Sequence, residues 1–407
     1  MHMSDDPEFT IRALTTDDLD QYNALLRYAF QVTEQELMMT GWKDDDFVRS
    51  KFPILERADV LGCYDGDQLV SQFAVYPLQM NIHSEICSVG YVTSVTTYPE
   101  YSGRGLMRRL MYRSLVRMRE KGQVLALLFP FSMPLYRKFG WEIISNKISY
   151  VVKDNQFVPQ RKHEAPGYVR RVNWDNPGFI DLHLRFAMRT HGCILRSTAA
   201  WDEYWRWEVE DTNVAVYYST DDRPLGYMVY IIKDDVMHIK EMIYLNREAK
   251  KGLWEYISAH YSMIDEVRGF TYHNELLAFD LEDGKITETI RPYVMGRIVD
   301  VAEFFDGYRC DPTEADVCFR FEITDPFLEW NNGTFDVLFH AGRAKVVTDV
   351  EPKYTVRMSI NSLSTLLLGY MPASQLNWLE KLDGSPEAVQ ILDEVILHEI
   401  PYISDYI

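Results

Sequence analysis

Two spacings of apolar residues run along this chain, and the switches between them mark its elements. Residues 8 to 13 read as a short strand; Thr15-Thr-Asp-Asp then places acids at a helix start, and residues 19 to 30 continue as that helix. Residues 60 to 64 and 69 to 76 read as the arms of a hairpin around Asp65-Gly66. A β-branched strand over residues 86 to 97 ends at Tyr98-Pro99. Beyond it Leu106, Leu110, Leu115 and Met118 fall broadly on one face of a helix, and residues 124 to 129 form a buried-looking strand.

Residues 156 to 178, rich in Pro, Gly and charge, read as a linker or first strand region, and the pattern then echoes itself. Residues 225 to 232 and 236 to 245 read as strands, and Asn246-Arg-Glu-Ala-Lys-Lys-Gly-Leu-Trp254 opens a helix. Gly252-Leu253 follows Tyr244 much as Gly105-Leu106 follows Tyr98, which predicts a duplicated fold that has lost its first loop glycine; chance spacing is the other reading. From Arg291 the pattern changes again. Residues 318 to 323 alternate, and Asn332-Gly333 between residues 327–330 and 334–339 is a hairpin signal. A strand over residues 354 to 360 and helices near 362 to 370 and 385 to 392 precede an apolar tail, Pro401-Tyr-Ile-Ser-Asp-Tyr-Ile407.

A chain of 407 residues exceeds one domain, so two or three are expected. The net charge of −19 disfavours nucleic acid and anionic membrane as partners; it suits cationic ligands such as amines, and solubility explains it equally well. Five cysteines without Cys-x-x-Cys point to reduced thiols and a cytoplasmic setting. No apolar run reaches membrane-spanning length, and the start lacks the basic-then-apolar order of a secretory signal. Zinc is not expected: His183, His191 and Cys193 lack finger spacing, and the histidines read as scattered surface residues.

The chemistry concentrates in residues 92 to 110. Gly103 and Gly105 flank Arg104, with Arg108 and Arg109 just after, between a strand and a helix. Glycines there let backbone N–H groups converge on an anion at a positive helix N-terminus, and the arginines add phosphate donors. A pyrophosphate cradle is the reading; an ordinary strand-to-helix turn is the plainer one. A Walker loop would need Gly-Lys-Ser/Thr, and the dinucleotide fingerprint a third glycine and a later acid; neither fits. The segment resembles the acetyl-CoA loop of the GNAT N-acetyltransferases, with Ser102 where that family usually has Arg or Gln and Met107 where it has Gly or Ala. A second motif, Phe131-Ser-Met-Pro-Leu-Tyr-Arg-Lys-Phe-Gly-Trp141, lies where those enzymes keep a tyrosine beside the coenzyme thiol, here Tyr136. A packing aromatic is the other role open to Tyr136.

Together with the three-part plan and the short apolar tail, these motifs make the whole chain similar to the Eis family of GNAT-related N-acetyltransferases. That resemblance implies an α+β chain of two tandem GNAT-like domains, residues 1–150 catalytic and 151–289 degenerate and without coenzyme, then a sterol-carrier-like domain over 290–407. It implies that acetyl-CoA is lined by Val95, Thr96, Thr97, Gly103, Arg104, Gly105, Leu106, Met107, Arg108, Phe131 and Ser132. It also implies Tyr136 as general acid, the terminal carboxylate at Ile407 as base, no metal, and a homohexamer acting on a small-molecule or peptide amine, aminoglycosides among them.

Acetyl transfer also needs an oxyanion donor, often a strand N–H splayed at a bulge. No His or Glu in residues 92 to 141 is an obvious base: Glu100 sits on the loop, and Glu142 follows Trp141. Trp201, Tyr204, Trp205 and Trp207 with Asp202, Glu203, Glu208 and Glu210 form an aromatic-acidic cluster that suits a cationic amine, although its spacing better fits a helix packed on a core. A rival function is an acyl-CoA-sensing or lipid-binding protein whose third segment holds an apolar molecule; the departures at Ser102 and Met107 motivate it.

Overall fold

The computed structural model describes residues 8–31, 54–157, 165–205, 211–272, 275, 277–281, 283–312 and 316–405. The chain begins with β1 (Thr10–Ala13), α1 (Leu19–Ala29), β2 (Asp59–Asp65), β3 (Gln68–Ile82) and β4 (Glu85–Thr97). Then come α2 (Leu106–Glu120), β5 (Leu125–Leu128), α3 (Met133–Arg137) and β6 (Glu142–Ile143). β1 to β4 are antiparallel neighbours, whereas β4 and β5 run parallel. The two helices cover opposite faces because β4 alternates: Val89 and Tyr91 join the core with Tyr22 and Leu25 of α1, while Val92 joins the one with Leu106 and Leu110 of α2.

A second sheet repeats this plan. It comprises β7 (Asn146–Lys153), β8 (Tyr168–Val172), β10 (Asn213–Tyr218), β11 (Pro224–Lys233), β12 (Val236–Tyr244), β13 (Glu266–Thr271) and β14 (Thr287–Pro292), in the order β14-β7-β13-β12-β11-β10-β8. Helices α4 (Pro177–Ala187) and α6 (Arg247–Ser258) cover its two faces, and α5 (Thr198–Trp205) packs on the α4 side. The short β9 (Ile194–Leu195) pairs with β3 and ties the second unit to the first sheet. β12 and β13 are its parallel pair, in the place that β4 and β5 hold in the first.

The two sheets trade a strand. After β6 the chain crosses into the second sheet as β7, lying between β13 and β14; after β14 it crosses back as β15 (Met295–Ile298), lying between β5 and β6. The crossing segments bond to each other: Ile144 N–H to Val294 C=O at 3.1 Å and Tyr293 N–H to Ser145 C=O at 2.9 Å. The limits expected at residues 150 and 290 thus fall inside β7 and β14, because each sheet is completed by the other's continuation.

The last part is a five-stranded sheet of β16 (Val317–Thr324), β17 (Gly333–His340), β18 (Arg343–Val346), β19 (Tyr354–Ser359) and β20 (Leu382–Gly384), ordered β18-β17-β16-β19-β20. It is packed by α7 (Val301–Phe305), α8 (Ile360–Leu367), α9 (Ala373–Trp378) and α10 (Pro386–Val395). Asn332-Gly333 does not close a hairpin with residues 327–330. β17 pairs instead with β16, and residues 325 to 331 turn because the Asp325 carboxylate accepts the N–H groups of Phe327 and Leu328. Among the described residues no helix is long and apolar enough to cross a membrane.

The histidines depart from expectation. His183 and His191 are buried; His191 stacks on His83 with centroids 3.8 Å apart, and His183 binds the Tyr227 hydroxyl. Burial lowers the pKa of both, which keeps the rings neutral in the core.

Candidate active site

The first sheet opens at one end. Pairing of β4 with β5 stops at Val92 opposite Leu128, but β4 runs on to Thr97. Within that overhang its register against β3 slips: Thr93 faces Ala74, yet Thr96 faces Gln72, so β4 carries one extra residue. Ser94 absorbs it at φ +53°, and its buried hydroxyl accepts the Tyr22 O–H at 2.7 Å. A bulge takes an N–H out of the ladder and turns the strand. Val95 is half-buried against the core and Thr96 is buried, while the Thr97 hydroxyl lies 2.7 Å from that of Ser71. What these three residues offer a ligand is therefore backbone.

Residues 98 to 105 carry the chain from β4 to α2. A short turn at Pro99–Tyr101 is pinned by the Tyr101 hydroxyl donating to Asp65 at 2.9 Å. Gly103 and Gly105 follow at φ +81° and +75°, a conformation that L side chains rarely adopt. A Cβ built on either would meet nothing within 4 Å, so conformation and not crowding selects glycine. The Arg109 N–H bonds to the Gly105 carbonyl at 3.1 Å, and the N–H groups before it have no intrahelical acceptor. This open nest fits a pyrophosphate, and with it acetyl-CoA. Leu106 turns its side chain into the core and Met107 is half-buried, so both contribute N–H groups only. Arg104 is drawn toward Glu8 at 3.4 Å and lies over the Phe9 and Tyr101 rings, while Arg108 lies over Phe327.

Tyr136 sits on α3, buried and edge-on to Trp141 at 6.2 Å. Among the described residues its hydroxyl has no hydrogen-bond partner, and burial raises its pKa above that of an ordinary phenol. It stays protonated across the neutral range. Ser132 starts its helix, accepting the Tyr136 N–H through its carbonyl at 3.3 Å, whereas Phe131 is 96% exposed.

The rest of the chain holds this tyrosine in place. Arg297 of β15 donates to the Phe139 carbonyl and to Asp325, with both charged side chains fully buried. Burial pulls the Arg297 pKa down to about 10 against the opposing pull of Asp325, leaving the guanidinium charged. Gly140 of the Phe-Gly-Trp motif has φ +91°, and a Cβ there would collide with the Arg297 guanidinium. Asn361 of α8 donates to the Arg137 and Trp141 carbonyls at 3.0 and 2.8 Å.

A cavity of about 950 Å³ lies on the second sheet, between β7, β11, β12 and β13 and the end of α5, with Ser404 at its rim. Its Tyr293 meets Phe129 edge-on at 5.5 Å between centroids, and Phe129 directly follows the point where β4 and β5 part. The tail docks beside it. Arg196 clasps both oxygens of Glu241 at 2.7 and 3.0 Å and Asp405 at 2.7 Å. Burial acts to raise the Glu241 pKa, but Arg196 outweighs it and holds the carboxyl at about 2. Trp201 and Trp205 are core residues beside Phe179, as helical packing predicts, and Tyr204 lines the cavity. Trp207, Glu208, Glu210 and Ile407 lie outside the described residues.

The second sheet keeps the opening and the bulge but not the loop. β12 and β13 pair only from Val236–Glu266 to His238–Arg268, and Lys240 is the extra residue against β11. Between β12 and α6 stand only Leu245 and Asn246, whose side chain accepts the Ala249 N–H at 2.9 Å and fills the helix start. Gly252 is no loop glycine: it lies within α6, where a Cβ would fall 2.2 Å from the Tyr217 ring.

Sequence reasoning missed Ser94, Arg297 and Asp325. Arg297 had a signal, being a lone charge in the apolar run of residues 294 to 299, which calls for a buried partner. Ser94 had little, since a serine inside a strand does not announce a bulge.

Residues 10–144 match the acetyltransferase (GNAT) domain family, residues 192–298 a second family of the same description, and residues 301–404 the sterol carrier protein domain. An uncharacterized N-acetyltransferase of Streptomyces avermitilis is 22% identical over 294 residues, 65% of this chain and 69% of that protein. The crystal structure of a conserved protein of unknown function from Enterococcus faecalis, a probable N-acyltransferase, superposes with TM-score 0.87 at 25% identity, covering 98% of this chain and 99% of its own. Eis1 from Mycobacterium abscessus superposes with TM-score 0.80 at 18% identity, covering 98% and 100%. Two tandem GNAT domains thus precede a sterol-carrier-type domain, and the chain is an acetyltransferase.

Proposed function

We propose that the first domain moves acetyl from acetyl-CoA to a primary amine by direct attack in a ternary complex, on the plan of the Eis proteins, while the second domain binds no coenzyme. The observation that carries this reading is the meeting of three features at one sheet end: the open loop at Gly103 and Gly105, the bulge at Ser94, and a buried tyrosine hydroxyl that has no partner among the described residues. Bound there, acetyl-CoA supplies an electrophilic thioester carbonyl and a thiolate leaving group. The N–H groups from Gly103 to Arg108 hold the pyrophosphate. The free backbone edge of Val95 to Thr97 pairs with the pantetheine amides as an added strand would. The N–H released at the bulge faces the developing oxyanion, where one such donor is worth about 10²–10³ in rate. Tyr136 delivers its proton to the departing sulfur.

In this reading Ile407 carries the carboxylate that takes the amine's proton. An extension by one residue is then expected to depress turnover without changing acetyl-CoA affinity; wild-type turnover by the extended chain would remove Ile407 from the chemistry. Tyr136→Phe tests the acid directly. Turnover is expected to fall about 10²-fold, with the acetyl-CoA dissociation constant from calorimetry nearly unchanged, since only a proton is lost. Undiminished turnover at saturating substrate would assign that proton to another group.

A further inference from the structure

We infer that the acceptor is an amine that also carries a carboxylate, on an aromatic or apolar body, and that Lys147 binds that carboxylate. This rests on the acetyl-transfer reading and adds the acceptor's class. The chain as a whole is strongly acidic, but the cavity on the second sheet, which reaches the first through the Tyr293–Phe129 contact, is not. Lys147 projects into it half-buried, its ammonium 3.8 Å from the centroid of Phe270 and 5.4 Å from that of Tyr293. Among the described residues no carboxylate pairs with it. Burial lowers its pKa, the mark of an ammonium that has given up water without gaining a counter-ion.

The neighbouring charges point the same way. Lys233, exposed like its neighbour Asp234, lines the same wall, and the Lys240 ammonium lies 4.3 Å from the Tyr204 ring while donating to the Tyr204 carbonyl at 3.0 Å. Of the acids there, Glu241 is spent on Arg196, Asp234 sits at the exposed turn between β11 and β12, and Glu203 has a partner of its own. A polycation entering this space would set a surplus ammonium group against Lys147. A carboxylate would neutralise Lys147 where solvent screens little, and aromatic rings would receive the rest of the molecule. The volume exceeds what one amino acid fills, so peptide-like amines fit the space.

The continuity from Tyr293 to Phe129 sets the direction of entry. An acceptor anchored at Lys147 extends past Tyr293 toward the opening between β4 and β5, where the acetyl group is presented.

The test uses the full chain and matched amines: alanyl-phenylalanine and its C-terminal amide, and 6-aminohexanoate and hexylamine. In at least one pair the carboxylated member should show about tenfold higher kcat/KM, the discrimination expected of one charge-assisted contact. Lys147→Ala should remove most of that preference through KM, and Lys147→Arg should keep it. Unchanged acetyl-CoA affinity and melting temperature establish that the variants are folded. Equal turnover within every pair, or an undiminished preference in Lys147→Ala, overturns the proposal. Should no amine be acetylated while acetyl-CoA binds, the transfer reading fails instead. Calorimetry of alanyl-phenylalanine against its amide then decides: preferential binding lost in Lys147→Ala upholds the anion site, and its absence refutes it.

Discussion

Gly105→Asp should abolish measurable acetyl-CoA binding while leaving the fold nearly intact. The residue sits at φ +75°, where an L side chain costs about 1–2 kcal/mol, yet its Cβ would meet no protein atom within 4 Å. The folded chain can absorb that cost. The carboxylate would instead occupy the side from which phosphate oxygens approach, setting like charge against like among the N–H groups of Gly103 to Arg108. A rise of at least about 100-fold in the acetyl-CoA dissociation constant is expected, with a melting temperature lowered only a few degrees. Gly105→Ala separates the two effects, because it brings the strain without the charge and should lose far less affinity. Wild-type affinity in Gly105→Asp would place the phosphate cradle elsewhere.

Arg297→Ala should be among the most destabilising single changes in this chain, by about 3–5 kcal/mol, because it leaves the Asp325 carboxylate buried without its cation. The same change strips the Phe139 carbonyl of its donor, three residues from Tyr136. Replacing both partners, as Arg297→Met with Asp325→Leu, should recover part of the stability, since no bare charge remains. It should not recover turnover, because the Phe139 carbonyl just after the helix bearing Tyr136 still lacks its donor. Urea unfolding and kcat, measured on the single and double variants, read the two losses separately. A single variant with the wild-type urea midpoint would show that this ion pair contributes little.

Local signals were read well where one segment decides its own fate. The hairpin at Asp65-Gly66 and the α2 helix lie where period and turn chemistry place them, because both are settled by neighbours in sequence. The glycine loop was legible for the same reason: only a residue free to take positive φ suits those two positions. Residues 142 to 153 were not. Their extended pattern cannot say which sheet a strand enters, and two crossing residues, Ile144 and Ser145, send β7 away from β6. Asn332-Gly333 misled because the side chain of Asp325, seven residues earlier, supplies the turn that the dipeptide was expected to make. Gly252 misled because spacing alone cannot distinguish a glycine that frees the backbone from one that admits the Tyr217 ring.

The traded strands also govern how the chain assembles on the ribosome. β5 ends at Leu128 with one edge covered by β4, but β15, which covers the other, begins only at Met295, after the whole second sheet. Until that partner is synthesised, the nascent first sheet presents an apolar, hydrogen-bonding edge of four fully buried-type residues, Leu-Ala-Leu-Leu. Such an edge accepts any extended segment, including one from a neighbouring polysome. Closing it waits on a long-range contact whose loop entropy slows folding. Translation that stalls between those two points would yield a product with an unfinished sheet, vulnerable to proteases and chaperones alike.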